Sequence, residues 1–404
     1  MSAGVSLSGP VPIPHLEAIR RGALIAAAVG LGISLLAGIT MRQDLLPAYL
    51  VAFMFWAGIA IGSIGLLLVN NITGGYWGLL VRRPLESAAM TIVPMAILFV
   101  PIALGLETLY PWCQPEAVHE HPAITKMGYL TRGAFLFRSG TGFLIWIGLA
   151  SLLWRGAIVR RADGSSGRSD WLTRYSPPGL VVFFLTTTFL AIDWGMSLEP
   201  EWYSSIYGVM VMIGWGLLTF STMLMISAGL RHTHPYSEAA TPSRIQDLGN
   251  LMLAFVMLWA YMSFSQFLII WAGNLSEEIP WYLRRIRGGW KWVAISLVAF
   301  HFFAPFFALL FRDVKRKIGL LVFVAAAIAF MHLVDLSWLV LPASYVIVSE
   351  GVPQIPWVKV LLVPVAWFGI GGVSVFSFLY FLVQRPLVPD ELLVNRMPVH
   401  QSGS

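Results

Sequence analysis

Two carboxylates stand inside apolar stretches, and their spacing to basic residues suits proton chemistry. Asp193 closes the run Phe189-Leu190-Ala191-Ile192-Asp193-Trp194, just ahead of an acidic, aromatic turn, Glu199-Pro200-Glu201-Trp202-Tyr203. Asp335 lies in Phe330-Met331-His332-Leu333-Val334-Asp335, with His332 at i−3 and so on the same helical face. A carboxylate at membrane depth costs about 2.5–3.5 kcal/mol to insert, so such residues pair with one another or line a polar path. Imidazole is the group that titrates near neutral pH, and a carboxylate beside it makes a relay. Asp193 is open to three readings: proton carrier, base toward a quinol, or static partner of Arg138 tying the fourth span to the fifth. His332 with Asp335 reads either as a relay or as a hydrogen-bonded pair that holds its helix.

Other polar residues fall inside apolar runs. Gln266 and Ser263 lie in the seventh run, and His301 lies among Phe300, Phe302, Phe303, Phe306 and Phe307. His301 reads first as a packed histidine; with His332 it forms the one deep histidine pair that could ligate a b-type haem. A second polar set gathers at the opposite ends of the runs. Asn70, Asn71 and Thr73 end the second, Glu86 opens the third, Ser221, Thr222 and Ser227 lie in the sixth, and Asp247 and Asn250 open the seventh. The hydroxyls read mainly as partners of the i−4 carbonyl. His119-Glu120-His121 reads as a solvated loop, with a metal site as the alternative.

These residues need elements to carry them, and composition says which. The chain has 404 residues, 57% hydrophobic and only 11% charged, and its mean hydropathy is +0.75. Soluble domains carry about 25% charged residues, so the expected class is an all-α integral membrane protein. A span takes about 20 apolar residues. Ten runs qualify: Ala23–Thr40, Leu46–Val69, Glu86–Leu109, Gly133–Trp154, Pro178–Leu198, Ile206–Leu230, Leu248–Ala272, Trp292–Phe311, Ile318–Leu341 and Val360–Val383. They are continuous rather than alternating, which excludes a barrel. Cys113 is the single cysteine, so cysteine-ligated iron–sulfur clusters and intrachain disulfides are excluded. The net charge of +6 reflects arginine-rich loops and does not point to nucleic acid.

Most Lys and Arg fall on the side that holds both termini, which the charge rule makes cytoplasmic; Arg284–Lys291 is a basic cluster on the other side. Asp193 and Asp335 then lie at similar outer depths, four spans apart. That spacing suggests two four-helix bundles, spans 2–5 and 6–9, with spans 1 and 10 peripheral. The expected organisation is a cytoplasmic segment 1–19, a peripheral helix 20–45, bundles over 46–200 and 201–345, a peripheral helix within 346–384, and a cytoplasmic tail 385–404. Pro94, Pro101 and Pro305 should kink their helices and free carbonyls, making room for water or a ligand. Gly369, Gly371 and Gly372 should allow a close helix contact.

Several motifs resemble the NrfD-like, or polysulfide-reductase membrane-subunit, family. They are Leu198-Glu199-Pro200-Glu201-Trp202-Tyr203-Ser204-Ser205, the stretch Tyr261-Met262-Ser263-Phe264-Ser265-Gln266 running on to Trp271-Ala272-Gly273-Asn274, and Glu277-Glu278-Ile279-Pro280-Trp281-Tyr282. Thr73-Gly74-Gly75-Tyr76-Trp77-Gly78 with Arg82-Arg83, and Phe311-Arg312-Asp313-Val314-Lys315-Arg316, support them. The pattern is similar to that of the smaller of two such subunits in alternative complex III, a bacterial quinol:electron-acceptor oxidoreductase. The resemblance implies ten spans in two four-helix bundles, in a bacterial cytoplasmic membrane. It implies as partners an iron–sulfur subunit, multihaem cytochromes c and a larger sister ten-helix subunit, with menaquinol or another quinol as the complex's substrate. Haem c and iron–sulfur clusters would then belong to the partners, and this chain would bind no cofactor of its own.

Joined to the residues above, the resemblance gives the expected role: a non-redox subunit that carries a proton path. Asp193, Arg138, His332 and Asp335 form its outer part, Gln266 and His301 lie deeper, and Asn70, Glu86 and Asp247 form the inner mouth. The alternatives are direct quinol binding between spans 2–5, with Asp193 taking a proton, and an independent secondary transporter.

Overall fold

The computed structural model describes residues 15–114, 128–162, 170–234, 236–344, 347–349, 352–355, 357–385 and 387. His119-Glu120-His121, residues 1–14, and all of the C-terminal tail except Arg385 and Leu387 lie outside that set.

Among the described residues ten helices are long and apolar enough to cross a membrane. In chain order they are α1 (Leu16–Thr40), α2 (Arg42–Thr73), α3, α4 (Arg132–Ala162), α5 (Asp170–Trp194), α6 (Tyr207–Leu230), α7 (Pro242–Gly273), α8, α9 (Ile318–Ser344) and α10 (Leu362–Leu382). α3 is a series of pieces, Tyr76–Met90, Ile92–Leu98, Val100–Leu104 and Leu106–Leu109. Pro94 and Pro101 cannot donate to Met90 and Ile97, which accounts for the interruptions. α8 is Trp290–Ser296, a π-helical turn over Leu297–Phe303, and Ala304–Leu310. Pro305 leaves His301 without its i+4 donor, and the wider turn sits on that residue. A short antiparallel hairpin, Ile347–Ser349 with Val352–Gln354, lies between α9 and α10.

α2 is apolar all round and runs through the middle of the molecule, as an unpatterned hydrophobic helix must. It packs on α3, α5, α6, α9 and α10. Its contact with α6 depends on missing side chains. A Cβ at Gly58 would lie 2.3 Å from the Trp215 ring, and one at Gly62 would lie 2.3 Å from Thr219 Oγ1. α3, α4 and α5 pack around one side of α2, while α7, α8 and α9 pack in sequence with α6 on the other. α1 and α10 lie against each other beside α2 and α3. There a Cβ on Gly30 would be 2.4 Å from the Gly369 nitrogen, and one on Gly372 would be 2.4 Å from the Ala27 nitrogen, so the glycines expected to permit close contact do so.

Two sequence expectations need correction. Glu86 does not open the third helix: α3 begins at Tyr76, and Glu86 is buried within it. Arg82 and Arg83 are accordingly not loop charges but buried helical residues. Their charge interrupts the apolar run and hides the helix start. Arg285, counted with the basic cluster Arg284–Lys291, is also buried, on a short helix Ile279–Ile286.

Candidate functional site

Four polar groupings result, two at the end of the molecule that carries the Glu199 turn, one deeper, and one at the opposite end. The first joins α4 to α5. Arg138 grips Asp193 with both arms of its guanidinium, Nε to Oδ2 at 2.7 Å and Nη2 to Oδ1 at 2.9 Å. Asp193 is fully buried. The Tyr129 ring covers the guanidinium at 3.8 Å, and burial together with the Asp193 charge pushes the Tyr129 hydroxyl up to about 12. Beneath lies an aromatic pile in which Trp194 packs on Phe53, Phe99, Phe143 and Trp146. Tyr110 donates to the Trp194 carbonyl at 3.0 Å, and Ser197 to the Asp193 carbonyl at 2.6 Å. Both carboxylate oxygens of Asp193 are thus held, in fork geometry that favours a fixed pair.

The second grouping is a latch that sequence reasoning missed. Glu199 accepts from Arg285 Nη2 at 2.6 Å and from Arg284 Nη1 at 2.8 Å. Arg285 also donates to the carbonyls of Trp281, Trp338 and Leu339 at 2.9, 3.3 and 2.9 Å. Its guanidinium lies 3.7 Å over the Trp281 ring, which stacks in turn on Trp202 at 4.3 Å. Burial lowers the Arg285 pKa, and Glu199 opposes that shift. The α5–α6 turn, the Ile279–Ile286 helix and α9 are fastened together here. Gln266 belongs to this region too: it is buried on α7 and meets the Ser204 hydroxyl of the same turn. The clue in the sequence was Glu199 itself, a carboxylate in an aromatic turn with Trp281 four residues before Arg285.

The third grouping brings His301, His332 and Asp335 together at the α8–α9 contact. The Asp335 carboxylate accepts from Trp259 Nε1 at 3.2 Å and lies 3.8 Å from His332 Nδ1. The His301 and His332 rings are 5.9 Å apart, and Trp259 lies 4.1 Å from His301. Both imidazoles are buried, and none of their four nitrogens has a hydrogen-bond partner among the described protein atoms. Gly214 on α6 makes room: a Cβ there would lie 2.7 Å from His332 Cε1. A cavity of about 540 Å³ adjoins the group between α7, α8 and α9, and Asp335 is the one charged residue on its wall. Neither histidine lines that cavity.

The fourth grouping lies at the far end. Arg82 Nε and Arg83 Nη1 reach the two oxygens of Glu86 at 2.9 and 2.5 Å. Arg82 Nη1 continues to Asn71 Oδ1 at 3.0 Å, and Asn71 Nδ2 to Ser176 Oγ at 3.1 Å. Asn70 instead closes the helix end by donating to the Gly74 carbonyl at 3.2 Å. Asp247 stands apart from this network, exposed in the second turn of α7. Among the described residues no group of three or more His, Cys, Asp or Glu could hold a metal ion.

Imidazole and carboxylate are the side chains that take up and release protons, and the indole N–H orients the carboxylate; a bidentate arginine–carboxylate pair is suited to holding helices. Neither the protein-family models nor the curated proteins contain a match to this chain.

Proposed function

We propose that this chain is a non-redox membrane subunit of a quinol-oxidising complex of the alternative complex III type, and that it contributes part of a proton path. The motif resemblance supports the complex, and the His301–His332–Asp335 group supports the path. The observation that carries the second part is the set of four buried imidazole nitrogens with no hydrogen-bond partner among the described residues, beside a buried carboxylate. Buried polar groups require partners, and water in that role makes a proton wire. The path in this reading runs through α6–α9, and Asp193–Arg138 serves mainly as a clamp. Glu86 with Arg82, Arg83 and Asn71 stands at the cytoplasmic end of α2–α5.

The helix packing supports two four-helix bundles, α2–α5 and α6–α9, with α1 and α10 peripheral. The Glu199 turn faces outward and both termini inward, in a bacterial cytoplasmic membrane. The buried, paired state of Arg285 supports this orientation, since the basic cluster on the outer side loses a free charge. Exposed aromatics at that end, Tyr203, Trp271 and Trp292 among them, suit contact with partners. Those partners are an iron–sulfur subunit, multihaem cytochromes c and the sister ten-helix subunit. The rival site for quinol, at Asp193 between α2 and α5, is disfavoured because both oxygens of that carboxylate are occupied.

The test is proton release per electron in native membrane vesicles. Asp335→Asn should lower it while the complex stays assembled; an unchanged ratio in that variant, with assembly intact, overturns the path.

A further inference from the structure

A second cavity, of about 320 Å³, lies away from Asp335, near the start of α1. α6 and α10 each pack on α2 and α3, and α10 packs on α1 as well; the cavity is the space between α6 and α10 at that end. We propose that it holds one acyl chain of an anionic phospholipid, with the phosphate drawn to Arg20 and Arg231. Only the membrane placement of the chain is required, not its membership of an oxidoreductase or the proton path.

The wall dictates what enters. Among the described residues it carries no charged side chain. Its side chains able to hydrogen-bond are already engaged within the protein. Thr91 Oγ1 donates to the Ala88 carbonyl at 2.6 Å, Thr222 Oγ1 to the Leu218 carbonyl at 2.8 Å and Trp56 Nε1 to the Trp367 carbonyl at 2.9 Å. Ser374 Oγ meets Met95 Sδ at 4.0 Å. A polar group placed among them would lose its water without replacement, so the inserted part of the guest is hydrocarbon. Most of the remaining wall is aliphatic, with Ile59, Met223, Ile226, Val375 and Leu379 on it. The cavity is long: it follows α6 from Thr222 to Leu230 and α10 from Ser374 to Leu382, about 12 Å along each axis at about 1.5 Å per residue. Trp56 and Thr91 come from the middle of α2 and α3, so it reaches from the helix ends toward mid-membrane. A chain lying along the bilayer normal has that shape.

The mouth dictates the head. It opens where α1 begins and α6 ends: Ile19 is 44% exposed, and a Cβ at Gly229 would meet nothing within 4 Å. A basic residue follows a wall residue on each of these helices, Arg20 after Ile19 and Arg231 after Leu230, and Arg21 adds a third. Arg20 Nε is buried with no hydrogen-bond partner among the described residues, while its Nη1 lies 3.3 Å from Glu17. Arg231 Nε donates to His232 Nε2 at 2.8 Å. Guanidinium groups suit phosphate oxygens, and basic residues at a membrane surface attract anionic lipid. With Glu17 the one carboxylate set against these arginines, a headgroup of net negative charge is favoured over a zwitterionic one.

The experiment uses the full chain, with its complex if one copurifies, in nanodiscs of phosphatidylcholine doped with phosphatidylglycerol that carries a diazirine on its acyl chain. Illumination and peptide mass spectrometry should place the label on the wall, at Ile226, Val375 or Phe378. Unlabelled phosphatidylglycerol should compete about tenfold better than phosphatidylcholine. Arg20→Gln combined with Arg231→Gln should erase that preference. Gly229→Phe puts a ring in the open mouth and should abolish labelling of the wall. Label confined to the outer surface of the helices, equal competition by the two lipids, or wall labelling unchanged in both variants overturns the proposal.

Discussion

At the scale of single residues, the paired charges divide into fasteners and carriers by what surrounds them. Arg285 and Glu199 are both buried, and removing one partner of such a pair leaves the other charge without compensation, at about 3–5 kcal/mol. Glu199→Ala should therefore lower the midpoint of heat unfolding in detergent markedly, whereas Glu277→Ala, at an exposed position, should leave it in place. The same logic applies to Asp193: the Asp193→Asn variant should unfold at a lower temperature, and adding Arg138→Gln should recover part of the loss by removing the stranded guanidinium. A melting point in the double variant below that in Asp193→Asn would show that Arg138 is satisfied without the carboxylate. Cys113 gives a gentler probe. Burial, and then the charge of Glu107, raise its thiol pKa against the opposing pull of Arg132. The thiolate fraction is thereby reduced at neutral pH, so maleimide labelling should be slower than for a free thiol and should speed up as the pH is raised. The Arg138–Asp193 and His332–Asp335 associations were legible in the sequence because charged residues in apolar runs have few possible partners. Arg285 was not, because Arg284, Arg287 and Lys291 around it give the appearance of a solvated cluster.

At the scale of elements, small residues decide which helices meet. α1 and α10 approach until the Gly30 and Gly369 backbones touch, and a side chain at either position collides with main chain rather than with a movable group. Gly369→Val should cost about 1–3 kcal/mol through overpacking and reduce the yield of folded protein. A disulfide-trapping pair placed across α1 and α10 would report the separation directly, and undiminished crosslinking in Gly369→Val would contradict the packing. The number of spans and their order were readable from apolar runs alone, since each run is close to a bilayer thickness. The start of α3 was not: hydropathy falls where Arg82, Arg83 and Glu86 neutralise one another inside the helix. Their i+4 and i+3 spacing is the signal that those charges share a helical face. Pro305 was recognisable as the source of a kink, but the π-helical turn that places His301 against Trp259 depends on packing with α7 and α9, which no local pattern encodes.

At the scale of the whole molecule, a central α2 and α6 separate two polar regions of different character. The α2–α5 side carries tightly paired charges at both ends and an aromatic core between them. The α6–α9 side carries imidazoles that make no hydrogen bond among the described residues, a carboxylate beside one of them and an open cavity. In the reading advanced above, the first side anchors the subunit and the second moves protons. In that reading any electrons pass through the chain's proposed partners. That division requires the chain to live within an assembly, so its purification state is the most direct check. A tag on this chain, gentle detergent extraction from native membranes, mass spectrometry and an absorbance spectrum form one measurement. The account predicts recovery of an iron–sulfur subunit, c-type haem and a second ten-span protein with the tagged chain. Recovery of the chain alone, with no haem absorbance, would contradict the account and favour an independent transporter.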